Sequence, residues 1–123
     1  MGIYEEELAG GEFDWFAIDT NGDLAIFATA GEGTIPNNVI SHYIEHSQIS
    51  ESLETPNWGS TEIWNDYAKL GLFVFDWNLP RGPYLREKTP IGKVPNELKE
   101  KIMMISSLEK LEISFSKMEQ VEL

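Results

Sequence analysis

The sequence predicts an α+β fold: a single domain on a mixed or antiparallel sheet, with a hairpin near its centre and two or three helices over it. Three features predict it. Glu12–Gly33 holds two apolar runs, rich in aromatic and β-branched residues, on either side of Asn21-Gly22. That dipeptide best fits the positive φ angles of a two-residue type I′ turn. Leu72–Trp77 (LFVFDW) is apolar at both alternating sets of positions, as a strand covered on both faces must be. Between these segments apolar residues recur at helical spacing. A chain of 123 residues, 41% apolar and with four Trp, suffices for one core.

Residues 1–11 form an acidic lead-in that Gly10-Gly11 separates from the first strand. It has neither the basic start nor the apolar stretch of a secretory signal, and no Ser or Thr where N-myristoylation requires one. Strands are expected over Phe13–Asp19 and Leu24–Ala30. A two-residue turn sets Ile18 opposite Ala25 and Phe16 opposite Phe27, so Phe16–Phe27 is the expected core pair. Phe13, Trp15, Ala17, Leu24, Ile26 and Ala28 fall on the other face. Neither face is polar, so both must be covered. Gly31-Glu32-Gly33 reads as a sharp bend at the strand end. As a phosphate loop it lacks a third Gly and a downstream Lys-Ser/Thr.

Pro36 opens a helix expected over Asn37–Leu53. Val39, Ile40, Tyr43 and Ile44 form its apolar stripe, with Ser41, His42, Glu45 and Gln48 away from it. Thr55-Pro56 ends it, and Asn57-Trp58-Gly59-Ser60 is a loop. Ser60 or Thr61 caps a second helix that runs to Leu70 and turns Ile63, Trp64, Tyr67 and Leu70 inward. Gly71 is its expected left-handed C-terminal cap, with Lys69 favourably placed in the last turn. In the following strand, Leu72 and Val74 face one way and Phe73, Phe75 and Trp77 the other. Asn78–Pro83 is turn-forming and Tyr84–Lys88 is a fourth strand. A short helix is expected over Asn96–Ile105, with Leu98, Ile102 and Ile105 inward. Leu111, Ile113 and Phe115 alternate with Glu112, Ser114 and Ser116, which predicts a half-buried strand. Glu119–Leu123 either pairs at an edge or frays.

The net charge of −12 is polarised: residues 1–70 carry thirteen acids and one base, Lys69, whereas residues 71–123 carry eight of each. Such a chain is a poor match for a nucleic-acid backbone. It would steer a basic partner, although acidity also serves solubility alone. No apolar run approaches a membrane span. The absence of Cys removes disulfides and thiolate metal sites and fits a reducing cytoplasm. No cofactor is implied.

Few patterns carry chemistry. His42-Tyr43-Ile44-Glu45-His46 matches H-x-x-E-H, the inverted zinc-peptidase motif. Two imidazoles one helical turn apart can share a metal while Glu45 activates water, with Glu109 or Glu112 as a third ligand. The simpler reading is a solvated His-Glu-His helix face. Asp19-Thr20-Asn21-Gly22-Asp23 looks like a calcium loop but lacks the Gly position and the closing acid of one; a hairpin turn explains it. Asp14 and Asp19 fall on opposite strand faces and do not converge as a carboxylate pair. Asp76, set among aromatics, reads as a strand-end carboxylate held by a loop or by Arg86. Trp58 differs from the other Trp residues in lying in a loop, where an exposed indole is an interface anchor.

Asp14-Trp15-Phe16-Ala17-x-Asp19-x-x-Gly22-x-x-Ala25-x-Phe27, then Gly31-x-Gly33-x-x-Pro36, resembles the opening of a family of small uncharacterised bacterial proteins. Gly71-Leu72-Phe73-Val74-Phe75-Asp76-Trp77, followed by Pro83-Tyr84-x-Arg86, fits that family's second block. The resemblance covers residues 12–95 and carries no catalytic residues with it. Small acidic bacterial domains of this style are similar to immunity proteins found beside secreted toxins. What this implies is a non-catalytic cytoplasmic binding protein, an immunity-like neutraliser of a basic toxin domain; on the charge pattern and the loop Trp, its expected contact is Glu54, Trp58 and Glu62. A small metal-dependent hydrolase at His42, Glu45 and His46, or a housekeeping domain without a dedicated partner, are the alternatives.

Overall fold

The computed structural model describes residues 13–78 and 80–123, so the lead-in expected over residues 1–11 lies outside it. Aspartate 19 sets the geometry of the first hairpin. Its Oδ1 accepts hydrogen bonds from the backbone N–H of Asn21 (2.9 Å) and Asp23 (2.8 Å), while Gly22 N–H donates to the Asp19 carbonyl and Gly22 takes φ 83°. The connection is therefore a three-residue loop, Thr20–Gly22, with a turn followed by a left-handed glycine. It is not the two-residue Asn21-Gly22 turn expected. The change shifts the register by one residue between β1 (Asp14–Ile18) and β2 (Leu24–Ala28): Trp15 opposes Phe27, and Phe16 opposes Ile26. The expected Phe16–Phe27 pair does not exist, because the two side chains lie on opposite faces of the sheet.

The corrected register has a clear packing reason. Phe27 also lies opposite Phe75 of β3 (Phe73–Asp76). Trp15, Phe27 and Phe75 stack across three neighbouring strands, with centroids 4.3 and 4.9 Å apart and planes within 11°. Each such pair contributes about 0.5–1.5 kcal/mol beyond area burial. Tyr84 of β4 (Tyr84–Lys88) meets Trp15 and Phe27 edge-on. It accepts from Trp15 Nε1 (3.2 Å) and donates to the Thr34 carbonyl (2.7 Å). Gly33 is glycine for this reason: a Cβ there would lie 2.6 Å from the Tyr84 hydroxyl.

The sheet is mixed and curled, in the order β5-β1-β2-β3-β4-β6, with β5 at Glu109–Lys110 and β6 at Gln120–Val121. The hairpin and β3 sit near its centre, as the apolar patterns predict. Strands β2 and β3 are parallel, and the chain between them forms α1 (Asn37–Ser41), α2 (Tyr43–Ser52) and α3 (Ile63–Lys69). With α4 (Asn96–Met103), α2 and α3 cover the aliphatic face of Phe16, Ile26, Leu72 and Val74 through Ile49, Tyr67, Leu98 and Ile102. The opposite, aromatic face is closed by Val39, Phe115 and Val121.

Three elements depart from expectation. The helix expected over Asn37–Leu53 breaks at His42 (φ −126°, ψ 31°), which rotates the inward face. Ile44, expected inside, is 55% exposed, whereas His46 and Ile49 are buried. Ser60 and Thr61 do not cap α3. Ser60 Oγ instead accepts from Glu62 N–H in a tight turn ahead of it. The strand expected over Leu111–Ser116 is absent, because the hairpin tip takes its backbone groups. Thr20 N–H donates to the Ile113 carbonyl and Phe115 N–H donates to Asp19 Oδ2, and Phe115–Lys117 turns as a 3-10 helix. Leu111 and Phe115 are nevertheless buried. Lys69 stands in the last turn of α3 and Gly71 follows at φ 85°, its N–H on the Ala68 carbonyl and Leu72 N–H on the Tyr67 carbonyl.

Candidate functional site

Because β2 and β3 are parallel, their carboxyl ends, Ala28 and Asp76, lie side by side, and Asp14 completes the row on the far side of Ala28. A crevice outside the carboxyl ends of parallel strands is where open α/β sheets take ligands. Here residues of α2, α3 and the loop between them border a cleft of about 390 Å3 at that end of the sheet. Phe13, Asp14 and Ala28 line it from the sheet, Ser50 and Glu51 from α2, and Trp58, Trp64 and Tyr67 from the following loop and α3. Asp14 is its half-buried acid. Asp14 Oδ2 accepts from Ser50 Oγ (3.1 Å) and Tyr67 Oη (3.2 Å), two hydroxyls on different helices that orient the carboxylate. The rings of Trp64 and Tyr67 lie 6.2 Å apart. The combination is an aromatic wall with an oriented carboxylate beside it.

Trp58 stands at the mouth, 80% exposed. Its loop is held from below by Asp66 of α3, which is only 5% exposed. Asp66 Oδ2 accepts from Asn57 N–H and Oδ1 from Asn57 Nδ2, both at 2.9 Å. Trp58 also borders a second groove of about 320 Å3, along Gly59–Thr61 and Trp64. The expected contact residues divide around this loop. Glu54, exposed, borders a different depression toward Leu98 and Lys101 of α4. Glu62, also exposed, accepts from Asn65 Nδ2 (2.8 Å). The exposed acid on the cleft itself, beside the half-buried Asp14, is Glu51, which the sequence does not mark as distinct from any other solvent-facing helical acid. Asp14 is visible in the sequence only as an isolated strand carboxylate. Its Ser50 and Tyr67 partners lie 36 and 53 residues away.

The His42-Glu45-His46 motif is not a solvated face. His46 is 1% exposed, between Phe13 edge-on and Phe16 stacked at 6.1 Å. Its Nδ1 accepts the Phe16 N–H (3.1 Å), a β1 donor that points away from β2 just beyond the Ala17 end of the β5 pairing. Burial pushes the His46 pKa down to about 4, the nearby His42 adding to this and Glu45 opposing it. The imidazole is therefore neutral near pH 7. Glu45 accepts the Ser106 N–H (2.8 Å), which holds its carboxyl below the usual range. His42 Nδ1 lies 2.9 Å from the Asn38 carbonyl oxygen. These bonds draw the three side chains to three different segments. Among the described residues, no three His, Asp or Glu side chains, Glu109 and Glu112 included, are grouped to hold a metal ion.

Of the other carboxylates that the sequence singles out, Asp19 is structural in position. Asp19, 1% exposed, spends both oxygens on backbone N–H groups, which accounts for the calcium-loop-like Asp19–Asp23 segment. Asp23 is raised above the usual carboxylate range by burial and by the Asp19 charge. Asp14 and Asp19 lie on opposite faces, as their spacing predicts. Arg86 pairs across the sheet with Phe75, while Asp76 pairs with Leu85. Its Nη1 donates to the Phe115 and Ser116 carbonyls, so it anchors the 3-10 turn. No helix among the described residues is long and apolar enough to cross a membrane.

The two motif blocks of the sequence meet in the aromatic stack, where Trp15, Phe27 and Gly33 of the first block pack on Phe75 and Tyr84 of the second. No family model, no curated protein and no solved structure matches this chain.

Proposed function

We propose that this chain is a non-catalytic protein-binding domain of the bacterial cytoplasm, an immunity-like neutraliser of a basic toxin domain, and a member of the small bacterial family that its two motif blocks resemble. One observation carries the reading: a largely exposed Trp58 on a loop fastened by a buried aspartate, in the acidic half of the chain. Exposing an indole exacts a solvation cost, and fastening the loop removes the entropy that binding would otherwise lose. Trp is enriched among residues that dominate interface energetics. Glu54 and Glu62, four residues to either side of it in the sequence and both exposed, supply the field that speeds encounter with a basic surface. The absence of Cys supports a reducing compartment.

The test is a paired capture from bacterial lysate with wild-type protein and Trp58→Ala, followed by purification of whatever differs. A basic protein retained by the wild type, lost by Trp58→Ala, and rendered harmless on co-expression is the expected result. Identical retained sets for the two proteins overturn the reading.

A further inference from the structure

We propose that the cleft between α2 and α3 receives an arginine side chain of the basic partner. The inference rests on the protein-binding reading above and names the chemistry of its central contact. A guanidinium is planar, stacks on aromatic faces and pairs with carboxylates, and it is less strongly hydrated than an ammonium. The cleft offers both complements. Trp58 and Trp64 present aromatic surface, and Asp14 presents a carboxylate already oriented by Ser50 and the buried Tyr67. Glu51 adds a second negative charge, and among the described residues no Lys or Arg lines the cleft. The volume of about 390 Å3 exceeds one side chain and leaves room for flanking backbone. Trp58 lines both this cleft and the adjoining surface groove, so a ligand that fills one continues naturally over the other. That continuity favours a protein's arginine over a free small cation.

The probe is acetyl-Gly-Arg-Gly-amide, titrated into the full chain at low salt and read by the indole resonances of Trp58 and Trp64. Its citrulline and lysine counterparts and N-acetylarginine amide serve as comparisons. The arginine peptide is expected to bind in about the millimolar range and to shift both indoles. The lysine peptide and the single amino acid bind more weakly, and the neutral citrulline peptide does not bind. Asp14→Asn and Glu51→Lys should each weaken binding by about tenfold or more. Glu51 is exposed, so its variant keeps the test valid should Asp14→Asn fail to fold. Absence of binding, equal binding of the citrulline or lysine peptide, or indifference to both substitutions overturns the proposal. Equal binding of N-acetylarginine amide overturns its assignment to a partner protein. Trp58-dependent capture without arginine binding removes this inference alone; arginine binding without Trp58-dependent capture removes the protein-binding reading alone.

Discussion

Two loops of this protein are built with the same device and put to opposite uses. At the hairpin tip and at the loop before α3, a buried aspartate accepts backbone N–H groups that no strand or helix satisfies. Asp19 takes those of Asn21, Asp23 and Phe115 and so ties the hairpin to a segment 96 residues away. Asp66 takes the backbone and side-chain N–H groups of Asn57, nine residues back, and leaves Trp58 standing in solvent. One carboxylate closes the core and the other presents a surface. The comparison teaches that a buried charge stiffens whatever its acceptors reach, and that function follows from where the stiffened segment points. His46 is a third case, a neutral acceptor for the Phe16 N–H, and unlike a carboxylate it loses that capacity on gaining a proton.

The largest effect expected is at the hairpin. Asp19→Ala leaves three backbone donors without their charged acceptor, at least one of them buried, and should cost about 4 kcal/mol in urea unfolding. A loss under about 1 kcal/mol would mean that this carboxylate is not what fastens the C-terminal segment.

Acid should release the third acceptor. The folded-state pKa of His46, about 4, lies below the ordinary value of 6.5. As pH falls the unfolded chain takes up the proton first. The contribution is complete above about 6.5 and is lost between there and about 4, amounting to about 3 kcal/mol. His46→Asn keeps an acceptor for Phe16 but does not titrate, so its stability should vary less with pH over that window. The same pH slope in both proteins would assign the acid response elsewhere.

Asp66→Ala should cost about 2 kcal/mol, less than Asp19→Ala because fewer donors are left behind. Its distinguishing effect is local: the indole of Trp58 should show faster motion in 15N relaxation, and capture of the proposed partner should weaken more than stability does. An unchanged indole would separate the loop's order from Asp66. Smallest in stability is the pair Glu54→Lys and Glu62→Lys, within about 0.5 kcal/mol because both are exposed. Their effect belongs to association, which should slow most at low salt. On-rates that match the wild type would exclude these two acids from the contact surface.

The two loops also differ in how far local pattern reveals them. Asp19-x-Asn21-Gly22-Asp23 announces a turn because all its members are neighbours. Even so, the turn is one residue longer than the Asn21-Gly22 pattern predicts, since Asp19 capping Asn21 and Asp23 competes with the two-residue alternative. Asp66 is one acid in a helix, and nothing within nine residues marks Asn57 as its partner. The break at His42 follows the same logic. An apolar stripe through Ile44 is the better local pattern, but a β1 donor needs His46 beneath it, and the helix yields.

Alternation along β1, β2 and β3, the helical stripe of α4 and the glycine after α3 all follow from residues within a few positions of each other. Side-chain period and φ preference act at that range, and they were sufficient to place the α+β class, the central strands and most of the core. Register, the path of residues 111–116 and the cleft were decided only on folding. Each depends on a hydrogen bond or an aromatic contact between residues far apart in the chain, whose meeting is determined by which backbone groups the sheet leaves unpaired.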